Sequence, residues 1–353
     1  MNEPMPVRRL TFGEAIRTRP GMYIGNQGPE ALQHLIDELM SNAIDQFLMG
    51  RATFVDVRVH DDGGIEVADD GAGLPFDEPA TDDSASLATH WFTTPHHTAR
   101  ADDHAPHIHV HSLFGIGLPS ANHCSHRLVC RSWRNGALWE QSFTDGVPDA
   151  PPHVTANGNG RGTRITFWPD AAIVGAATPA RGPLRATLQR AAHLFAGLEL
   201  RYDGETFHAR DGLGDLLYLL HDLGGRRHAR WDNRPVFRWH GRHGDFQIEA
   251  AAVGFAGDPH DECLWHTWVN GRATTDHGSH RLGFAHVLRR EGWMPAIVAL
   301  HVITHDPRFA GPTHNKYNFP PARTAVREAL ARPLNAFCRE HQIGCDAVND
   351  DRR

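Results

Sequence analysis

The sequence predicts an α/β (α+β) protein built from two successive domains. Three observations support this fold class. The chain has 353 residues, of which 40% are hydrophobic. Helix patterns alternate with strand patterns along it. A polar stretch that ends in glycine, DGETFHARDG (Asp203–Gly212), separates two such groups of elements. A chain of this length commonly folds as two domains. We therefore expect one domain over residues 1–210 and a second over residues 211–353.

The clearest single element is an amphipathic helix between residues 28 and 49. Its apolar residues recur at the spacing of one helix face, and Gly50 closes the pattern. The segments Phe54–Val59 and Ile65–Asp69 alternate in polarity around the turn sequence DDGG, which predicts a β-hairpin. Residues 79–111 are polar, rich in histidine and aperiodic, so we expect a long loop there.

Further patterns complete the two expected domains. The first is expected to have strands at residues 127–133, 138–144, 162–168 and 198–202, and helices at 112–124 and 182–195. The second is expected to have strands at residues 246–254, 264–270 and 296–303, and helices at 281–290 and 320–341.

Composition excludes several classes of protein. The chain has no run of roughly 20 apolar residues and no apolar signal core at its start, so we expect a cytoplasmic location and no membrane contact. Its five cysteines are scattered without a CxxC pair, which is typical of reduced thiols. With a net charge of −7, any contact with DNA must be local.

Polar residues line one side of the first long helix. Glu38 and Asn42 are one turn apart, and Asp45 follows three residues later. A carboxylate can polarise a water molecule, and an amide oxygen can hold a hard cation. An ordinary solvated helix face is the alternative interpretation, and this feature alone favours it.

Three glycine-rich turns could bring the backbone close to a ligand. The segment VADDGAGLP (Val67–Pro75) ends a strand in two carboxylates, which could accept a hydrogen bond from an exocyclic amine. The segment SLFGIGLPSA (Ser112–Ala121) runs into a helix, an arrangement that suits phosphate. The third, GNGRGTRITFWPD (Gly158–Asp170), leads into a strand. A plain Asp-Gly turn is an equal alternative for the first of them, the second is a weak signal by itself, and the third alone indicates only a turn.

Taken in order, five runs resemble a known family. RTRPGMYIG, ELMSNAIDQ, DDGAGLP, LFGIG and GTRITFWP are similar to the N-terminal ATPase domain of bacterial DNA gyrase B and its topoisomerase IV counterpart, of the GHKL ATPase class. WVNGRATTDHGSHRLGF and HDPRFAGPTHNKYN are similar to the transducer domain that follows it. The resemblance implies a GHKL (Bergerat) ATP-binding sandwich followed by a ribosomal-S5-like α/β transducer domain.

The resemblance also implies cofactors and roles for individual residues. It implies ATP and Mg²⁺, with Glu38 as the general base and Asn42 as a magnesium ligand. Asp69 would accept from the adenine amino group, supported by Thr163. The other residues implied in nucleotide binding are Asp45 on the helix, the adenine wall Gly73, Leu74, Pro75 and Ile165, and the phosphate loop Leu113, Phe114, Gly115, Ile116 and Gly117.

The sequence departs from the family where the terminal phosphate is sensed. The family has Gln-Thr-Lys there, whereas this chain has Pro312, Thr313 and His314. Lys316, the single lysine among 35 basic residues, lies two positions further on. Lys316 and His314 are therefore both candidates to contact the γ-phosphate, although chance placement of a surface lysine is an equal alternative.

Other departures affect the pocket mouth, the lid and the far end. At the mouth, Gln46, Ala72 and Glu140 replace an acid and two arginines of the family, and His111-Ser112 replaces a Gly-Gly pair. These changes suggest slow or lost turnover. The chain ends at Arg353, where the metal-binding TOPRIM domain of gyrase B would begin, so we expect no DNA cleavage by this chain.

The expected partners follow from the same resemblance. An arm at residues 1–9 and the lid would close an ATP-dependent homodimer, and a separate TOPRIM or cleavage subunit would perform the topological reaction. Zinc binding by the histidine-rich loop is a weaker hypothesis. A nucleotide-switched regulator that binds DNA or protein is the alternative function. The arginines that could contact DNA are Arg226, Arg227, Arg230, Arg234 and Arg238.

Overall fold

The computed structural model describes most of the chain as two compact units. The described residues are 10–80, 85–95, 115–175, 178–223, 234–254, 263–311 and 314–343. Unit 1 consists of residues 1–189 and 198–207, and unit 2 of residues 190–197 and 208–353. No helix in the described ranges is long and apolar enough to span a membrane.

Unit 1 combines short helices, one long helix and a large sheet. Its helices are α1 (Phe12–Thr18), α2 (Gly21–Ile24), α3 (Pro29–Leu48), α4 (Leu87–Thr93), α5 (Gly117–His123) and α6 (Ala171–Val174), and α7 (Arg181–Leu194) begins in it. Its strands are β1 (Phe54–Val59), β2 (Ile65–Asp69), β3 (Ser125–Arg134), β4 (Ala137–Thr144), β5 (Val147–Pro148), β6 (His153–Asn157), β7 (Gly162–Pro169), β8 (Glu199–Tyr202) and β9 (Glu205–Phe207).

The nine strands of unit 1 form one sheet in the order β5-β4-β3-β7-β2-β1-β8-β9, and β6 pairs with β4. Neighbouring strands are antiparallel except for the parallel pair β1 and β8. The apolar face of α3 packs on this sheet, and its residues Leu32, Leu35 and Ile36 are fully buried. The predicted long helix and the β1–β2 hairpin are confirmed.

The prediction of a long loop at residues 79–111 is wrong in part, because the structure has helix α4 (Leu87–Thr93) within this range. Ser86 caps this helix, since its hydroxyl accepts from the Thr89 N–H at 3.1 Å. The buried Phe92 then packs against Phe143 of β4, with ring centroids 5.1 Å apart. Seven residues are too few for a clear apolar period, so this tertiary contact leaves no signal in the sequence.

Unit 2 is a five-stranded sheet with helices. Its strands are β10 (Val236–His243), β11 (Phe246–Val253), β12 (Leu264–Val269), β13 (Arg272–Ala273) and β14 (Ile297–Ile303), with a separate pair β15 (Phe309–Ala310) and β16 (Lys316–Tyr317). Its helices are α8 (Leu213–Leu223), α9 (Ser279–Arg290) and α10 (Pro320–Glu340).

The large sheet of unit 2 has the order β10-β11-β14-β12-β13, and β12 and β14 are its parallel pair. One face is apolar and packs under α9 and α10, with Phe237, Phe284 and Leu330 in the common core. All seven residues of β14 are buried, as expected for a central strand covered on both faces. The predicted elements of this unit are present, and α8, β10 and the short strands β13, β15 and β16 are additional to them.

A buried histidine ties residues 190–197 into unit 2. The N–H at Nδ1 of His301 donates to the Leu194 carbonyl at 3.1 Å, and the Gly271 N–H donates to its Nε2 at 2.9 Å. The His301 ring also meets Phe195 edge-on at 5.6 Å. Both ring nitrogens are thus engaged within unit 2, which fixes the neutral tautomer of this side chain.

Candidate active site

The middle of helix α3 presents a carboxylate at the start of helix α5. Glu38 is only 6% exposed, although its side chain is ionisable. A Cβ added to Gly117, the first residue of α5, would overlap Glu38 Oε2. The carboxylate therefore lies directly against the N-terminal turn of α5, where helix N–H groups have no partner within the helix.

One turn earlier on α3, a histidine approaches the same carboxylate. His34 Nε2 lies 3.9 Å from Glu38 Oε1, and the His34 side chain is 42% exposed. This distance is too long for a direct hydrogen bond, but the charge of a protonated His34 would stabilise the ionised carboxylate. His34 is not among the residues predicted from the sequence, although its i, i+4 spacing from Glu38 is a visible signal.

The other polar residues of α3 differ in accessibility. Asn42 is exposed one turn after Glu38, so its amide oxygen is accessible to a ligand. Asp45 is 8% exposed and therefore mostly withdrawn from solvent. In the part of the chain that the structure describes, no three His, Cys, Asp or Glu side chains cluster as they would around a metal ion. An ion beside Asn42 would need other oxygen ligands.

The two aspartates at the end of β2 have different surroundings. Asp70 accepts hydrogen bonds from the Thr53 N–H at 2.6 Å and the Thr53 hydroxyl at 2.7 Å, so it fastens the loop to β1. Burial disfavours the Asp70 carboxylate, but these hydrogen bonds outweigh it and hold the pKa below its usual value. Asp70 is thus committed to the fold.

Asp69 is the aspartate that the resemblance predicts to accept from a ligand. It is half-buried, and the Gly71 N–H donates to its Oδ1 at 2.7 Å. Burial raises the pKa of Asp69 to about 6, although hydrogen bonds from the backbone of Gly71 and Thr163 oppose the rise. A carboxylate in such surroundings gains from a donor such as an exocyclic amine.

A hydroxyl network connects the strands beside Asp69. Thr163 pairs with Asp69 in the sheet register, and its Oγ1 lies 3.2 Å from Ser132 Oγ. The Leu74 N–H donates to the same Ser132 Oγ at 2.7 Å. Ser132 therefore joins two of the predicted adenine-contacting residues. The sequence does not point to Ser132, because its position in β3 carries no motif.

Glycines allow close backbone approach around this network. Gly73 has φ +80°, and a Cβ there would overlap the Trp133 carbonyl oxygen. Gly162 has φ +97°, and a Cβ there would overlap the Asp69 carbonyl oxygen. Pro75 is buried and Ile165 is 6% exposed, so these two predicted wall residues are mostly enclosed.

The predicted phosphate loop is described only at its end. Gly115 has φ +61°, Ile116 precedes the first turn of α5, and Gly117 starts the helix against Glu38. Leu113 and Phe114 lie outside the described residues, as do the 1–9 arm and all the histidines of residues 79–111 except His90.

The candidate phosphate sensors belong to unit 2. Lys316 is exposed on β16, opposite Ala310 of β15. His314 has φ +56°, is 9% exposed and stacks on Phe309, with ring centroids 4.8 Å apart. Burial lowers the pKa of His314, and the charge of Arg272 lowers it further. Pro312 and Thr313 lie outside the described residues.

The predicted arginine surface is described in part. Arg226, Arg227 and Arg230 lie outside the described residues. Arg238 is exposed on β10, yet a Cβ at Gly214 would overlap its Nε, so its guanidinium lies against helix α8. Arg234 precedes the same strand.

Comparisons with known proteins agree with this architecture. Residues 27–173 match the family described as histidine kinase-, DNA gyrase B-, and HSP90-like ATPase. DNA gyrase B of Chlamydia pneumoniae is 26% identical over 93% of this chain and 44% of the relative. That of Thermus thermophilus is 28% identical over 97% of this chain and 57% of the relative. The chain thus spans about half the length of these curated relatives.

Solved structures show the same likeness. The 43K ATPase domain of Thermus thermophilus gyrase B, in complex with an aminocoumarin, superposes with a TM-score of 0.76 at 25% identity, covering 95% of this chain and 92% of that one. The topoisomerase IV ATP-binding domain of Francisella tularensis has a TM-score of 0.76 at 23% identity, with 94% of each chain covered, and shows the shared fold. Residues 27–173 therefore form a domain of the histidine kinase-, DNA gyrase B- and HSP90-like (GHKL) ATPase family, and the chain resembles the N-terminal ATPase and transducer region of gyrase B over nearly its whole length.

Proposed function

We propose that this chain binds ATP with Mg²⁺ in unit 1 and hydrolyses the terminal phosphate bond. The observation that carries this proposal is the position of Glu38, a buried carboxylate against the first turn of α5. A phosphate at that helix start would meet backbone N–H groups, while the carboxylate faces the water that attacks it.

In this proposal, Glu38 acts as the general base. Its carboxylate takes a proton from water as the oxygen of that water attacks the γ-phosphorus, and the bond from the γ-phosphorus to the oxygen that bridges it to the β-phosphorus breaks, so that ADP and phosphate are formed. His34 acts through Glu38, since it lies beside the other carboxylate oxygen. General-base catalysis of this kind typically contributes about 10²- to 10⁴-fold to the rate.

Asp69 selects the base of the nucleotide. Its carboxylate accepts from the adenine amino group, and Thr163 lies beside it in the register of β2 and β7. Leu74, Pro75 and Ile165 supply the apolar walls. The neighbouring Asp70 takes no part, because its oxygens are already used by Thr53.

The residues present fit an adenine nucleotide with one magnesium ion. Glycines lie where a Cβ would collide with Glu38 Oε2 or with neighbouring backbone, so the main chain packs closely against the residues that would hold the nucleotide. Asn42 is exposed one turn after Glu38 and would supply an amide oxygen to the ion. Bound magnesium would neutralise phosphate charge, and phosphate and water oxygens would complete its coordination.

At the level of the whole protein, we propose that this chain acts as the ATPase half of a gyrase B-like clamp. ATP would promote a homodimer, unit 2 would act as a transducer with Lys316 or His314 at the γ-phosphate, and a separate TOPRIM or cleavage subunit would act on DNA. The resemblance to gyrase B over both units supports this role. The exposed Arg238 and the arginines near residue 230 are candidate DNA contacts.

Two measurements on the purified chain test this proposal. ATP turnover is measured with and without linear DNA, and the mass of the particle is measured by light scattering with and without a non-hydrolysable ATP analogue. We expect slow ATP hydrolysis and a dimer only with the analogue. A chain that binds no nucleotide contradicts the proposal, and a chain that binds but stays monomeric at saturating analogue contradicts the clamp.

A further inference from the structure

The loop that follows β2 is held on one side by the turn between β3 and β4. We call residues 71–78 the adenine loop, since Gly73, Leu74 and Pro75 lie in it. Arg134 Nε donates to Asp77 Oδ1 at 2.8 Å. Asn135 Nδ2 donates to the other oxygen of Asp77 at 2.5 Å. Both carboxylate oxygens of Asp77 are therefore engaged by adjacent residues of one turn.

The geometry of that turn explains how the two donors reach one carboxylate. Asn135 has φ +50° and Gly136 has φ +79°, and Arg134 pairs with Ala137. This is a two-residue hairpin loop with both central residues in the left-handed region, which Asn-Gly adopts readily. The turn type fixes the backbone, so Arg134 and Asn135 present their donors in a defined arrangement.

The Arg134–Asp77 pair is partly withdrawn from solvent. The Arg134 side chain is 26% exposed and that of Asp77 is 21% exposed, and Arg134 also pairs with Glu78. Ion pairs that are partly withdrawn from water are screened less by salt than surface pairs. Charge-assisted hydrogen bonds in such a position are stronger than neutral ones.

Two further contacts attach the same loop to β3. The Leu74 N–H donates to Ser132 Oγ at 2.7 Å, and Gly73 approaches the Trp133 carbonyl so closely that a Cβ would overlap it. Residues 132–135 thus contact the adenine loop continuously, from the hydroxyl next to Thr163 to the hairpin turn.

Beyond this attachment the chain enters helix α4. The Leu87 N–H donates to the Glu78 carbonyl at 2.7 Å, and the Ala88 N–H donates to the Pro75 carbonyl at 3.2 Å. The start of α4 is therefore built on the adenine loop. Loosening the loop would release both the wall beside the base and the first turn of this helix.

We propose that Asp77, Arg134 and Asn135 form a strap that holds the adenine loop in its base-binding conformation. The proposal rests on the proposed ATP-binding function and adds positioning residues to it. Arg134 and Asp77 need not touch the nucleotide. They act through the loop, which they keep against β3 before the base arrives, so that binding does not have to order it.

The strap predicts that its loss changes KM for ATP more than kcat. It holds the adenine loop beside the base but, within the described part of the chain, does not contact Glu38 or the phosphate loop. We expect Arg134→Ala to raise the KM for ATP about fivefold to tenfold, in keeping with the loss of its partly exposed contacts to Asp77 and Glu78, and to change kcat less than about twofold. The preference for ATP over GTP should shrink in the same variant.

The matched control is Arg185→Ala. Arg185 makes a comparable double contact with Glu205, at 3.0 and 2.8 Å, on the far edge of the same sheet. This variant should leave KM, kcat and base preference unchanged. A charge swap is a second test of the strap. Asp77→Arg and Arg134→Asp should each weaken nucleotide binding, and the double variant should recover part of it.

Hydrogen–deuterium exchange of the free protein tests the strap without any nucleotide. In Arg134→Ala, the peptide containing the Leu74 amide should lose protection, while peptides of α3 and unit 2 keep theirs. Loss of protection throughout the chain, or a KM equal to that of the wild type, would overturn the strap. If the wild-type chain itself binds no ATP, the proposed function fails, and the exchange result still decides whether the loop is held by Arg134.

Discussion

At the scale of single residues, Glu38 is the clearest candidate for catalysis, because it is a buried carboxylate against the first turn of α5. We predict that Glu38→Ala keeps nucleotide binding but lowers ATP hydrolysis by about 10²- to 10⁴-fold, because the base acts on water while other residues hold the nucleotide. Single-turnover hydrolysis and calorimetric binding measure the two effects separately. Hydrolysis at the wild-type rate would show that Glu38 is not the base.

Asp69 gives a second prediction at this scale, on pH. Its pKa of about 6 in the free protein means that the carboxylate form is lost as pH falls through that value. If that form accepts from adenine, affinity for a non-hydrolysable ATP analogue should weaken about fivefold between about pH 6 and pH 5 and be flat above about pH 7.

The Asp69→Asn variant is the control for this pH dependence. It should bind the analogue more weakly at neutral pH, because the amide loses acceptor capacity, and its affinity should lack the step near the pKa of Asp69. An unaltered profile in Asp69→Asn would assign the titration to another group. Asp70→Asn should instead lower the stability of the protein, because it weakens the hydrogen bonds that Asp70 accepts from Thr53.

At the scale of elements, the contact between α3 and α5 depends on a missing side chain. We predict that Gly117→Ala reduces kcat severalfold or more, because the added Cβ overlaps Glu38 Oε2 and displaces the carboxylate. Gly182→Ala in α7 is the matched control, since a Cβ there has nothing within 4 Å. It should stabilise the protein slightly, by about 0.5–1 kcal/mol, and keep full activity. Equal activity of both variants would contradict this account.

The helix α9 of unit 2 provides a prediction on stability. His280 is completely buried, its Nε2 lies 3.3 Å from Thr274 Oγ1, and burial lowers its pKa to about 3. The folded state therefore binds fewer protons than the unfolded state between about pH 3 and pH 6.5. Stability contributed by neutral His280 is present above about pH 6.5 and is lost as pH falls, by about 1.4 kcal/mol per pH unit.

Denaturant unfolding at about pH 7, 6 and 5 measures this slope. The His280→Asn variant should be less stable at neutral pH, because it loses ring packing against Tyr317, but its stability should fall less steeply on acidification. Parallel slopes for the two proteins would show that His280 does not carry the acid sensitivity.

At the scale of the whole molecule, both candidate phosphate sensors belong to unit 2. Lys316 is exposed, whereas His314 is buried against Phe309, so the lysine is the more accessible charge. We predict that Lys316→Ala loses most ATPase activity and Lys316→Arg loses less, because an ammonium turns freely toward phosphate oxygens and a guanidinium fork does not. Nucleotide binding should be largely kept in both.

His314→Ala separates the two candidate sensors. It should affect turnover less than Lys316→Ala, and its main effect should be on stability, through loss of the stacked ring. ATPase assays and thermal unfolding of the same preparations compare them. Normal hydrolysis by Lys316→Ala together with lost hydrolysis by His314→Ala would identify the histidine as the sensor.

The amino-acid sequence by itself determined the periodic elements and the candidate chemistry. Helix α3, the β1–β2 hairpin and most strands of both units were predictable, because apolar period and turn residues are local properties of the chain. Glu38 and Asn42 followed from helix spacing together with the resemblance to gyrase B.

Only the tertiary structure decided which polar groups are committed to the fold and which are available to a ligand. Two adjacent aspartates are equivalent in the sequence, but Thr53, 17 residues before Asp70, hydrogen-bonds to Asp70 and leaves Asp69 to the turn at Gly71. Ser132, Arg134 and helix α4 gained their roles from contacts with the adenine loop or with β4, which are distant in the chain. Such contacts depend on which strands lie side by side in the sheet, and the apolar period of a single segment does not specify its neighbours.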